Sequence, residues 1–298
     1  MMSSIRRSGE HITRCFPEEY EVLLLKKVQT LKDLLFQSIE TTESIQPDVF
    51  RSPKTNFRMR TNFNIWRDKP KSDDPVDMYY AMFEKDGDKN LPVEIKSFPR
   101  GSLLINSLME RLMEVIKDHP SLRKSLFEVR FVTTQANEAV ISLIYKKPLV
   151  TTEWQAAADT ASTILNAKIV GRSKKVKLVA GGGETVKEIL NVNGRALCYY
   201  QTEGAFSQPN ASVCEKMLEW ALDVTSGSVE EDLLELYCGG GTFTAALAIN
   251  FRKVLATEMS KASVELAHQA FKENKIENIR IARLSSEEFT QAYEGKRR

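Results

Sequence analysis

Cysteine and histidine are scarce: four cysteines and three histidines in 298 residues. Cys15, Cys198, Cys214 and Cys238 are scattered with no CxxC spacing, so neither a zinc site nor an iron–sulfur cluster is suggested, and no metal is expected. His11, His119 and His268 stand isolated and read as ordinary surface or partly buried histidines. No stretch of 18 uncharged apolar residues occurs, so no membrane span is expected. The first residues hold no apolar secretory core. Arg6, Arg7 and Arg14 with several serines resemble an organellar transit peptide weakly, against which Glu10 counts. A reducing intracellular compartment fits, and the cytoplasm is the expected location, an organelle the weaker alternative. A net charge of +2 is too small to imply a nucleic-acid partner by itself. Neither an internal repeat nor a long low-complexity segment is present.

What is present is a soluble-protein composition, 42% hydrophobic and 28% charged, over a length that suits two domains. Residues 17–46 read as a helix with an apolar stripe of Val22, Leu25, Val28, Leu31 and Leu35. At 57–66 the period becomes two, with Phe57, Met59, Phe63 and Ile65 on a core face and Arg58, Arg60, Asn62, Asn64 and Trp66 on an open one. Further strands are predicted at 76–84, 92–97, 126–134 and 139–145, with helices over 102–117 and 152–166. Residues 167–201 read as short strands, broken by Gly181-Gly182-Gly183 as a flexible hairpin tip. From 205 the style alternates strand and helix. Pro209 suits a first helical turn, and strands follow at 233–237, 253–257 and 279–282. Helices lie between them, Ser260 is a predicted cap, and Ser285 with Glu288 forms a predicted capping box. Such βαβαβ order means a parallel sheet with helical crossovers.

The sharpest local signal is Leu233-Leu-Glu-Leu-Tyr-Cys-Gly-Gly-Gly-Thr-Phe243. An apolar strand runs into glycines, which let the backbone turn and approach a ligand closely, and then into a helix. Glu258 ends the next strand, where a carboxylate can accept both ribose hydroxyls of an adenosine cofactor. In a dinucleotide site a third glycine would stand where Thr244 is. Glu235, inside the first strand, would repel a pyrophosphate but suits a cationic sulfonium. The fingerprint therefore favours S-adenosylmethionine over NAD, with a ligand-free glycine turn as the bland alternative.

Residues 51–71 gather Arg51, Lys54, Arg58, Arg60, Arg67, Lys69 and Lys71 around a single acid, Asp68. Phe50, Phe57, Phe63 and Trp66 are interleaved. Arginine contacts phosphates, asparagine reads base edges and an exposed aromatic stacks an unpaired base. Arg51, Arg58, Arg60 and Trp66 are the candidate RNA contacts; a solvated basic strand is the alternative. A second basic run, Arg172 to Lys177, and Arg130 could extend the surface.

Phe50-Arg-Ser-Pro53, Phe57-Arg-Met-Arg60, Phe206-Ser-Gln-Pro-Asn210, Met217–Thr225, Leu233–Gly239 and Val254–Glu258 together make the chain similar to the tRNA (uracil-5-)-methyltransferase family, from about Tyr20 onward. The resemblance implies methyl transfer from S-adenosylmethionine to C5 of a T-loop uridine in tRNA, through a cysteine thiolate at C6 and a general base that removes the C5 proton. It further implies cofactor contacts from Gln208, Tyr237, Gly239 and Glu258. Thr242 and Gly240 depart from the asparagines of relatives. No cluster-binding cysteine set of ribosomal-RNA relatives occurs, which points to tRNA.

The family's Asp-Pro-Pro, Ser-Cys-Asn-Pro and later glutamate motifs do not occur here. No catalytic nucleophile or base is therefore assigned, and Cys238, in the cofactor turn, is rejected as a substitute. The expected fold class is α/β: a Rossmann-like class I methyltransferase domain at 201–298, truncated to its first three strands, behind an α+β RNA-binding domain with an N-terminal helix at 1–200. Strand 233–237 would then keep an unpaired edge, and the chain would be poorly stable alone. The expected state is a monomer working on the T-arm. The alternative is a non-catalytic RNA-binding protein built on the same fold.

Overall fold

A computed structural model describes residues 6–38, 46–69 and 77–295. Lys71, the first residue of the strand expected at 76–84, and the end of the helix expected at 17–46 lie outside them. Seven strands build the main sheet: β1 (Arg60–Arg67), β2 (Met78–Asp86), β3 (Lys89–Glu94), β4 (Leu126–Thr133), β5 (Ala139–Tyr145), β6 (Lys168–Ser173) and β7 (Val176–Ala180). Their order is β3-β2-β1-β4-β5-β6-β7. Every pairing is antiparallel except β5 with β6. Period two is visible in β1, where Phe63 and Ile65 are buried between more exposed neighbours.

Helix α1 (Glu10–Thr13) and helix α2 (Tyr20–Ser38) precede the sheet. The predicted α2 stripe is not sunk in a core: Val22 is 70% and Leu25 67% exposed. Helix α3 (Leu103–Asp118) starts at Ser102, whose hydroxyl accepts the Ile105 N–H at 3.1 Å. It lays Ile105, Leu108, Met109, Leu112 and Ile116 on the sheet. After the short α4 (Pro120–Arg123), α5 (Thr151–Leu165) crosses between β5 and β6. Its Trp154, Ala157, Ala158, Ala161 and Leu165 recur at helical spacing and join the same core. Gly171 of β6 leaves room for the Trp154 ring, since a Cβ there would lie 2.3 Å from it.

The expected fold class needs correcting. An α/β fold with one seven-stranded mixed sheet and two further small sheets replaces the expectation of a three-stranded truncated domain behind an α+β one. One reason is α5: it crosses between β5 and β6, so the chain returns parallel to β5 and adds β6 and β7 to the same sheet. Short apolar runs in the sequence therefore merge into one broad sheet. Gly181-Gly182-Gly183 is also no hairpin tip. All three have positive φ, and they carry the chain from β7 to a separate hairpin.

That hairpin, β8 (Thr185–Val192) with β9 (Arg195–Thr202), opens a second core. Leu190, Val192, Leu197 and Tyr199 pack with Cys214, Leu218 and Leu222 of α6 (Ala211–Val224) and with Ala267, Ala270 and Phe271 of α8 (Lys261–Glu273). Pro209 sits just outside α6; the cap is Asn210, whose Oδ1 accepts the Val213 N–H at 3.1 Å. Parallel strands β10 (Asp232–Glu235), β11 (Lys253–Thr257) and β12 (Ile279–Ala282) follow, in that order. Helix α7 (Thr242–Leu247) runs into a 3-10 turn, Ala248–Asn250, and α9 (Ser286–Gly295) closes the described chain. Both halves of the predicted capping box form: Ser285 N–H to Glu288 at 2.8 Å, and Glu288 N–H to the Ser285 hydroxyl at 3.1 Å. Asn274, ending α8, binds both sides of one β9 residue, accepting the Cys198 N–H at 2.9 Å and donating to the Cys198 carbonyl at 2.6 Å.

Candidate functional site: a glycine turn beside a basic strand

The strand expected to reach residue 237 ends at Glu235, and the chain turns there. Tyr237 has φ 58°, Gly239 57° and Gly241 75°. Left-handed backbone at a tyrosine costs energy that its surroundings must supply. The turn is fixed by Cys238 N–H on the Thr257 carbonyl at 3.0 Å and by Gly239 N–H on Glu258 Oε2 at 3.0 Å. Glu258 Oε1 accepts the Ser260 N–H at 2.6 Å. Gly239 faces open space, so only its conformation demands glycine. At Gly241 a Cβ would also lie 2.7 Å from the Phe271 ring. Gly241 thus lets α7 close on α8.

Glu235 points from β10 toward α7, where its Oε2 accepts the Thr244 hydroxyl at 2.6 Å. Burial pushes its carboxyl up to about 7, against the Thr244 bond that lowers it. Two acids, Glu235 and Glu258, thus flank the turn, which disfavours a pyrophosphate. The exposed Tyr237 ring reaches Glu287 of α9 through its hydroxyl.

Gln208 joins this turn from the other side. It lines a small cavity with Gly240 and Thr242, along with Glu188, Tyr199 and Gln201. The irregular segment around it is clamped by β1 and its approach. Met59 N–H donates to the Pro209 carbonyl at 2.7 Å, and Asn210 Nδ2 to the Ser52 hydroxyl at 2.7 Å. Arg60 gives Nη1 to the Ala205 carbonyl at 2.8 Å and the Ser207 hydroxyl at 3.1 Å, and Nη2 to the Glu203 carbonyl at 3.3 Å. Of the sequence-derived cofactor residues, Tyr237, Gly239 and Glu258 share one turn, and Gln208 meets it across the cavity.

The basic candidates divide. Arg58 is exposed and its Nε donates to the Arg60 carbonyl at 2.8 Å. Arg58, Arg60, Asn62, Arg130 and Glu203 line an open cavity beside β1 and β4. Trp66, 38% exposed, stands edge-on to Phe83 at 5.6 Å. Arg51 lies apart, ion-paired with Glu21 of α2 at 3.2 Å. Arg67 is turned into the fold, on the Leu126 carbonyl at 3.0 Å and the Arg123 carbonyl at 2.7 Å. Arg130 pairs with both Glu128 and the buried Glu203, and Arg172 approaches Glu203 at 3.3 Å.

Three cysteines are buried: Cys198, Cys214 and Cys238. Burial raises each thiol, Cys214 and Cys238 to about 12. Cys238 also faces the carboxylates of Glu235 and Glu258. Such thiols are poor nucleophiles. Among the described residues no group of three or more His, Cys, Asp or Glu side chains could hold a metal ion, and no helix is long and apolar enough to cross a membrane. Sequence reasoning missed Glu188, Gln201 and Glu203. The first had a signal: an acid at an inward position of an alternating strand.

A family model described as tRNA (Uracil-5-)-methyltransferase matches residues 19–298. The tRNA/tmRNA (uracil-C(5))-methyltransferase of Acinetobacter baylyi is 49% identical over 252 residues, which cover 84% of this chain and 67% of that relative. The protein of the same description from Cellvibrio japonicus is 46% identical over 278 residues, covering 93% and 72%. Among solved structures, the Pyrococcus abyssi tRNA (uracil-54, C5)-methyltransferase in complex with S-adenosyl-L-homocysteine superposes with a TM-score of 0.65 at 19% identity, covering 95% of this chain and 67% of that one. At that identity the likeness is one of fold.

Proposed function

As the chain belongs to the tRNA (uracil-5-)-methyltransferase family, we propose that it serves methyl transfer from S-adenosylmethionine to C5 of a T-loop uridine in tRNA. The observation that carries this reading is the turn itself, with the Glu258 carboxylate on the Gly239 N–H. Each carboxylate oxygen has more than one acceptor site, so Glu258 keeps capacity for two ribose hydroxyls while it holds the turn. Glu258 gives the site a negative character, to which Glu235 adds as its carboxyl, raised to about 7 by burial, ionises; this fits a cationic sulfonium better than a dinucleotide. When bound, S-adenosylmethionine supplies an electrophilic methyl group.

The labour divides near residue 200. Residues 1–200 present Arg58 and Trp66 to RNA, with the Arg60 guanidinium held on the 203–207 segment beside them and Arg51 apart, paired with Glu21. Residues 201–298 present Gln208, Tyr237, Gly239 and Glu258 to the cofactor. The thiolate attack on C6 that the family implies is assigned to no cysteine here: Cys198, Cys214 and Cys238 are buried with raised thiols, and Cys15 stands outside the family's nucleophile motif. The second reading is RNA and cofactor binding without turnover by this polypeptide. Formation of 5-methyluridine in unmodified tRNA by the purified chain separates the two. We propose a monomer working in the cytoplasm, testable by light scattering and by imaging the tagged chain.

Glu258→Ala tests the cofactor assignment. It should weaken S-adenosylhomocysteine binding by tenfold or more by calorimetry, about the worth of one charge-assisted hydrogen bond. Wild-type affinity in that variant would remove the ribose assignment.

A further inference from the structure

Strand β8 buries Val186, Glu188, Leu190 and Val192 on one face. Glu188 therefore occupies a position whose neighbours along the face are aliphatic. A carboxylate there is tolerated only if its lone pairs are filled. Oε1 accepts the Gln135 N–H at 2.8 Å and the Ile189 N–H at 3.1 Å, and Oε2 accepts the Gln201 amide at 3.3 Å. Contacts continue outward. Gln201 Oε1 accepts the Ser207 hydroxyl at 3.1 Å, and the Ser207 oxygen accepts Arg60 Nη1 at 3.1 Å. Three side-chain steps join a buried acid to the basic strand, and the chain passes Ser207, the neighbour of Gln208.

The direction of every bond in this chain follows from its inner end. Burial lifts the Glu188 carboxyl to about 7, and in its ionised form it only accepts, so Gln201 then turns its NH2 to Glu188 and its carbonyl to Ser207. Ser207 then has to donate to Gln201 and accept from Arg60. A glutamine at 188 would keep its carbonyl on the two backbone N–H groups and point its NH2 at Gln201. Gln201 would have to flip, and Ser207 would lose the acceptor for its proton. The segment at issue, between Glu203 and Pro209, has no helix or strand to hold it. Its ends are held by Arg130 and Arg172 at Glu203 and by Met59 at Pro209, while Arg60 and this chain hold Ser207 between them.

We propose that Glu188 is a positioning residue which, through Gln201 and Ser207, fixes the 203–208 segment against Arg60, so that tRNA bound on the basic strand raises cofactor affinity at Gln208, and the reverse. The inference rests on the function proposed above. Both ligands need the docked segment, and the first to bind orders it for the second. Linkage makes the effect equal in both directions.

The test measures S-adenosylhomocysteine affinity of the full chain with and without saturating unmodified tRNA, at about pH 8.5, where the Glu188 carboxyl is ionised. In the wild type, tRNA should tighten the cofactor fivefold or more, within the usual span of coupled sites. In Glu188→Gln that factor should fall to within about twofold of unity. The exchange Glu188→Gln with Gln201→Glu should restore it, because the carboxylate transferred to position 201 would accept from both neighbours and return Ser207 to its donor role. A merely structural loss would not be rescued by moving the charge one step along the chain. Ser207→Ala, which removes no buried charge, should also abolish the coupling and covers the case in which Glu188→Gln does not fold. Full coupling in Ser207→Ala, or in Glu188→Gln, overturns the inference. A wild type that binds both ligands independently overturns it too, leaving the proposed function standing. A wild type that binds neither ligand sinks both.

Discussion

Strands β5 and β10 are both rich in aliphatic residues, yet the molecule treats them differently. In β5 every residue but Ile144 is buried, between β4 and β6 and with cover on both faces. In β10 none is fully buried, Leu234 is 48% exposed, and among the described residues only β11 pairs with it. The seven-stranded sheet is therefore a platform whose order comes from its own core. The parallel sheet that carries the cofactor turn is covered on one side, so its order should depend more on what binds it.

The largest expected effect breaks the platform. Trp154 is almost wholly buried, and its indole N–H donates to the Tyr145 hydroxyl at 2.8 Å. Trp154→Ala should cost about 3–5 kcal/mol in urea unfolding. The protein that remains folded should keep its S-adenosylhomocysteine affinity. If affinity collapses as well, the two regions are not separable. Next comes Gly241→Ala, which adds left-handed strain to a clash with the Phe271 ring. About 2–4 kcal/mol of local stability should go, read as faster amide exchange in α7 and α8 with β1–β7 unaffected. Equal loss of protection in the main sheet would contradict the comparison.

A pH dependence sharpens it. Burial lifts Glu188 and Glu235 from 4.5 to about 7, with Glu215 adding to the shift at Glu188. For a carboxyl raised by folding, the neutral form is the one the native state prefers. Its contribution is full below the unfolded value and is lost as pH rises through the folded one. Stability should thus decline from about pH 5 to 8, and Glu235→Gln should flatten that decline. An unchanged slope in the variant would remove Glu235 from the account. The smallest effect is at the exposed Arg58. Arg58→Gln should alter stability by no more than about 0.5 kcal/mol and lower the salt slope of tRNA binding by about one. A wild-type slope would take Arg58 off the RNA face.

Local features were legible in the sequence because short-range chemistry decides them. The Ser285–Glu288 box, the Ser260 cap and the alternation of Phe63 and Ile65 all appear where pattern places them. The breadth of the main sheet was not legible, because short apolar strands do not state their partners. α2 has a good helical stripe, but whether a stripe meets a core is a tertiary matter. The glycines at 239 and 241 read alike in sequence, and only the packing of Phe271 tells them apart. Arg60 looked like a free cation on an open face. Its three bonds go to a segment more than 140 residues away, and no local pattern announces them.

Asn274 imitates a strand. Its amide offers one acceptor and one donor to the two sides of Cys198, as a neighbouring backbone would. Shifting α8 by one residue along β9 would break both bonds at once, so the side chain acts as an alignment key between helix and hairpin. The same contact occupies hydrogen-bonding groups on the outer border of β9 that a foreign chain would otherwise add to. One amide thereby both indexes the assembly of the second core and guards its rim.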